Sequence, residues 1–217
     1  MSAQAFRVRY AAYSLDLLLL SPLLALAAWR PALRAVAAHA ELQRAAEAAI
    51  ERAFMEGHFA LFSLAAALRE DAVFREALAT GTAGIAAGVL GALLAAVAVS
   101  ALWFIGFEAS PWQASPGKRA FGLRVVGADG GRVALPRLLL RFLAAAPSWL
   151  LLHLGHALVL FRADGRAFHD LVAGTRVEGG HWPRWAGLWL GLQGLAVCAL
   201  LSWGGWVFLR AVFVLGL

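Results

Sequence analysis

Asp16 lies roughly two turns into an apolar run that extends to Trp29. A carboxylate at such a depth costs several kcal/mol on insertion scales, so it faces protein or a water-filled cavity. Two chemistries are open to it. It is a structural acid neutralised by an Arg or Ser of a neighbouring helix, or it carries an ion or proton, with burial raising its pKa and a nearby Arg lowering it. Arg9 lies seven residues earlier. A helix puts the two on nearly one face but about 10 Å apart along the axis, too far to pair directly. Asp170, preceded by His169, heads a short helix or strand, where a carboxylate either clamps backbone N–H groups or joins a site. His153 and His156 could share a helix face, but no second ligand pair at suitable spacing accompanies them, so neither a metal nor haem is expected. Gly117-Lys118 invites a phosphate-loop reading. Trp112 stands where such a loop needs its first Gly, and no Ser or Thr follows Lys118, so the reading fails. Nucleophilic catalysis has no Ser-His-Asp or Cys-His arrangement to support it, and no enzyme activity is expected.

The elements that position these groups are membrane elements. With 62% hydrophobic and 15% charged residues among 217, and a mean hydropathy of +0.73, the chain is polytopic rather than soluble. Its formal charge of +6 comes from Arg residues beside apolar segments, which suits anionic headgroups rather than nucleic acid. Trp29, Trp112, Trp182 and Trp185 stand near segment ends, where an aromatic belt sits. A lone Cys198 in an apolar run excludes a disulfide framework, and the long first run with Asp16 inside does not read as a cleavable signal.

Segment one runs from about 8 to 29, bends near Ser21-Pro22 and ends at Trp29-Arg30-Pro31. Residues 32–79 read as one or two amphipathic helices outside the hydrocarbon; with six Arg against seven acids they suit the outer side. Segment two, about 82 to 107, carries Gly81, Gly84, Gly88 and Gly91 at close-packing spacing, which is also a candidate surface for self-association. Leu123–Val126 and Arg132–Leu135 flank Asp129-Gly130-Gly131 and read as a β-hairpin. Segment three, about 137 to 161, holds Pro147 and Gly155, and segment four runs from about 185 to 209. If segment three crosses, Lys and Arg divide nine inside to ten outside; if it dips in and returns, they divide twelve to seven. The positive-inside rule favours the re-entrant form, which also brings Thr175-Arg176-Val177 beside the hairpin as a third strand.

Three blocks together resemble the RDD family, named for one Arg and two Asp. Arg9 with Asp16 resembles its start. Ser115-Pro116-Gly117-Lys118, Gly122-Leu123-Arg124-Val125-Val126 and Asp129-Gly130 are similar to its central signature. His169-Asp170 and Ala173-Gly174-Thr175 are similar to its closing element. The resemblance covers about residues 6–178 and departs from the family in the long insertion at 32–79, in Ser115 where Thr is usual, and in segment four. It implies a bacterial multi-pass membrane protein and names Arg9, Asp16 and Asp170 as a polar cluster, supported by His169, Lys118, Gly117 and Thr175. The resulting expectation is an all-α membrane protein, a bundle of three or four transmembrane helices with a re-entrant third segment and a small cytoplasmic β-hairpin. Residues 6–178 form the family domain and 179–217 an additional helix. The N-terminus is cytoplasmic at the inner membrane. The expected function is transport of a small ion or solute, by cation or proton exchange at the cluster, in a homo-oligomer without cofactor or metal. The other reading is a non-transporting scaffold that binds anionic lipid or a protein partner.

Overall fold

The structure is a computed structural model that describes residues 2–150, 154–162 and 164–215. It divides into two compact units, one of residues up to Leu19 with those from Phe104 onward, the other of Leu20–Trp103.

The second unit holds the part from Leu20 on of the long helix α1 (Ser2–Met55) and the part up to Trp103 of a second, α3 (Ala72–Ala109), joined through the short α2 (Leu61–Glu70). At about 1.5 Å per residue, α1 is about 80 Å long, against a hydrocarbon thickness of about 30 Å. The insertion is therefore mainly the continuation of the two spanning helices. Pro31 does not end α1, which runs through both Pro22 and Pro31. Proline inside a membrane helix is tolerated where a neighbouring helix supports it, and α3 lies directly against this turn. A Cβ on Gly88 would stand 2.7 Å from the Ala35 nitrogen and 2.8 Å from the Pro31 carbonyl oxygen; one on Gly84 would stand 2.9 Å from the Ala38 Cβ, and one on Gly81 3.0 Å from the Leu42 Cβ. Rising numbers on α3 meet falling numbers on α1, so the pair is antiparallel. The Gly stripe offered as a self-association surface is thus covered within the chain, because backbones that close leave no room for a second partner. Asp71 closes the hairpin: it caps α3 at the Phe74 amide (2.9 Å) and pairs with Arg52 (2.6 Å).

The first unit holds the remainder: α4 (Pro116–Ala120), β1 (Leu123–Gly127), α5 (Leu135–Leu150), α6 (Leu154–Phe161), α7 (Phe168–Ala173), β2 (Thr175–Gly179) and α8 (Ala186–Leu215). The expected local hairpin gives way to a long-range pair. The Asp129-Gly130 turn forms, closed by the Gly127 amide on the Gly131 carbonyl (2.9 Å). But β1 pairs antiparallel with β2, Leu123 opposite Gly179 and Gly127 opposite Thr175. Pro136 supplies no donor to a ladder and favours the opening turn of a helix, so α5 starts at Leu135 and consumes the residues a second hairpin strand would need.

Among the described residues, segment three consists of α5, with 16 residues, and α6, with 8, on either side of residues 151–153. β1 and β2 flank this segment and hydrogen-bond to one another, so its two ends lie together. α5 buries Leu138, Arg141, Phe142, Ala145 and Ser148 at helical spacing and exposes Leu139, Leu140 and Leu143. The one charged residue of this buried face, Arg141, is thus turned to protein, as a charge in an apolar segment should be. Among the described residues, three helices are long and apolar enough to cross a membrane: Phe6–Met55, Ala72–Ala109 and Ala186–Arg210. A small core of Val8, Ala11, Ala12, Phe121, Leu123 and Ala186 joins the start of α1 to β1 and α8. Phe121 is fully buried there against the rings of Trp182 and Trp185.

Candidate functional site

The turn Ser115-Pro116-Gly117 is organised by Asp16. The carboxylate is fully buried; it accepts from the Ser115 hydroxyl on Oδ2 (2.5 Å) and from the Gly117 amide on Oδ1 (2.8 Å). Asp16 thereby caps α4 from another helix, satisfying an N–H that the helix cannot satisfy itself. Each residue type follows. Ser115 supplies a hydroxyl, which Thr would also carry; Pro116 opens the helix without needing an acceptor. Gly117 must lack a side chain, since a Cβ would collide with the Ala12 carbonyl oxygen and stand 2.7 Å from the Asp16 Cγ.

Asp170 is the hub of a second set. It is fully buried on α7, where its Oδ2 accepts from the Ala167 amide (3.1 Å), one half of a capping box. The same oxygen accepts from Arg9 Nη1 (3.2 Å), while Oδ1 accepts from the Thr175 hydroxyl (3.3 Å) and pairs with Arg141 Nη2 (3.2 Å). Arg141 continues to Glu108 (3.5 Å), and Glu108 to Lys118 (2.6 Å). The result is an alternating row, Arg9–Asp170–Arg141–Glu108–Lys118, drawn from α1, α7, α5, α3 and α4. His169 Nε2 lies 3.1 Å from Arg141 Nη2. An arginine can only donate, so this contact makes Nε2 the acceptor and places the imidazole proton on Nδ1. Burial pushes the Asp170 pKa up, but Arg141 foremost, then Arg9 and the Ala167 amide, outweigh it and hold the group down at about 2.

Four members of the row, all but Asp170, line a cavity of about 560 Å³ within the first unit, inside the range of roughly 300–1,000 Å³ typical of small-molecule sites. Arg9, Glu108, Lys118, Arg141 and His169 form one connected polar patch on its wall, and most of the rest is apolar, including Phe104, Ile105, Phe142 and Val159. Three cations against two carboxylates leave the row one positive charge in excess. Arg141 Nε is buried with no acceptor among the described residues.

The sequence-expected residues thus sort into two groups. Arg9, Asp170, His169, Thr175 and Lys118 meet in the row. Asp16 is bonded instead to the turn of Ser115 and Gly117. Glu108 and Arg141 were missed, although each is an ionisable residue in or beside an apolar segment, the signal that singles out Asp16. His153 and the side chain of His156 lie outside the described residues. Among the described residues, no group of three His, Cys, Asp or Glu could hold a metal ion.

The model of the RDD family matches residues 3–174. Over 85 residues the chain is 30% identical to the uncharacterized protein YxaI of Bacillus subtilis (strain 168), a match covering 39% of this chain and 56% of that protein. The chain therefore spans a little over half the length of that relative. No solved structure matches it.

Proposed function

The chain belongs to the RDD family of membrane proteins, and from that premise we propose that it binds and moves a small solute at the cavity bordered by the Arg9–Asp170–Arg141–Glu108–Lys118 row. The observation that carries this reading is the row's position on the cavity wall. Four of the five linked charges, Arg9, Arg141, Glu108 and Lys118, border a space of ligand size, and Asp170 ties Arg9 to Arg141 behind its wall. The row's excess positive charge favours an anionic solute over a cation or proton, since each carboxylate already faces two cations. Asp16 is the weaker candidate for exchange, because both its oxygens are engaged on α4. The twelve-to-seven division of Lys and Arg supports a cytoplasmic N-terminus at the inner membrane, with β1 and β2 on that side.

A second reading has its own observation. Arg9 also donates to the Val177 carbonyl (3.3 Å), so the row ties β2 to α1 and could serve only to lock the fold of a non-transporting scaffold. Proteoliposomes containing purified protein separate the two. Efflux of labelled small anions, with sodium, potassium, lithium and a pH-sensitive dye in parallel, should show anion movement that exceeds empty vesicles and falls in Lys118→Met. No movement of any solute, from protein shown to be folded and inserted, would favour the scaffold.

A further inference from the structure

Resting on the reading of the cavity as a binding site, we infer that its occupant is an anionic amphiphile: a carboxylate or phosphate head on an aliphatic chain. The cavity's lining is divided in a way that neither a bare ion nor an apolar lipid tail would need. Its charged groups are contiguous, each linked to the next within 3.5 Å. The remainder includes Phe104, Ile105, Leu138, Phe142, Ala145 and Val159, an apolar surface continuous enough to take a chain. A bare ion would leave those walls without a partner, and a neutral alkane would leave the charged patch against hydrocarbon.

The polar patch also selects the sign of the head. Lys118 and Arg9 terminate the row, so both ends present a cation. Arg141 lines the cavity from the middle, with its Nε–H unaccepted among the described residues. An incoming carboxylate or phosphate can share Lys118 or Arg9, the two partly exposed cations of the patch, making charge-assisted hydrogen bonds without displacing Asp170 from its amide and hydroxyl donors. A cationic head would meet the row's excess positive charge.

Photo-crosslinking in phosphatidylcholine nanodiscs tests this directly. Diazirine-bearing palmitic acid, its alcohol and its trimethylammonium counterpart are compared, with labelled peptides located by mass spectrometry. The acid should label peptides of α3 and α5 about tenfold or more above the other two, the preference expected of a hydrogen bond to a charged group. Ala145→Phe, which fills the apolar part without touching a charge, should remove that labelling; Lys118→Met should lower the acid towards the alcohol. Competition by phosphatidylglycerol would identify a bilayer lipid as the source, and its failure a free amphiphile; either supports the inference. Equal labelling by all three probes, or labelling that survives Ala145→Phe in folded protein, would overturn it. Binding is read without flux, so a positive result with no transport would remove only the transport part of the proposed function. Flux of another solute without labelling would remove only the amphiphile.

Discussion

At the residue scale, Asp16 and Asp170 are both fully buried carboxylates, yet they face different partners and respond differently to change. Asp16 holds two neutral donors, so asparagine can keep both contacts by accepting from Gly117 and donating to the Ser115 hydroxyl. Asp16→Asn should cost about 1 kcal/mol, whereas Asp16→Ala leaves a buried hydroxyl and amide unsatisfied and should cost about 2–5 kcal/mol, read by thermal unfolding in detergent. Asp170 responds to pH. Its folded pKa of about 2 lies below the ordinary aspartate value of 3.8. The unfolded chain therefore takes up the proton first as pH falls. The stabilisation is full above about pH 4 and is lost between there and about pH 2, on the order of 2 kcal/mol. Wild type should lose stability across that window on acid titration, and Asp170→Asn, already weakened, should lose less.

At the element scale, the α1–α3 pair depends on the absence of side chains. Gly88→Leu should break the hairpin, lowering stability by several kcal/mol or preventing insertion, whereas Gly204→Leu, with nothing within 4 Å of its would-be Cβ, should unfold like wild type. A cysteine pair at Val125 and Val177, directly opposed across β1 and β2, should oxidise to an intramolecular disulfide in a Cys198→Ser background. Failure to form it would mean that segment three crosses the bilayer. These elements were legible in the sequence to different degrees. The Gly spacing announced a close helix contact but not its partner. Pro31 reads as a helix end, because local sequence does not show that α3 supports the turn. The residues from Arg132 read as a strand because the turn before them is genuine. Their claim on β1 was lost to β2, about fifty residues away, and to the helix-opening Pro136.

At the scale of the whole molecule, the charged row does what no single element can. It joins a residue near the N-terminus to residues of α7 and β2, and its members are dispersed in sequence over 167 positions, from Arg9 to Thr175. The family signature pointed to Arg9 and Asp170, but grouped Asp16 with them, since helical spacing gives the face a side chain shares and not the group it meets. Glu108 and Arg141 become visible as members only when α3 and α5 are packed. The central claim is that Arg9 and Asp170 belong to one network and Asp16 to another. Double-mutant cycles on unfolding free energy in bicelles test it most directly, using Arg9→Met with Asp170→Asn, and Arg9→Met with Asp16→Asn. The account predicts a coupling of about 1–3 kcal/mol for the first pair and less than about 0.5 kcal/mol for the second. A second pair coupled as strongly as the first would contradict it, and would return Asp16 to the same site as Arg9.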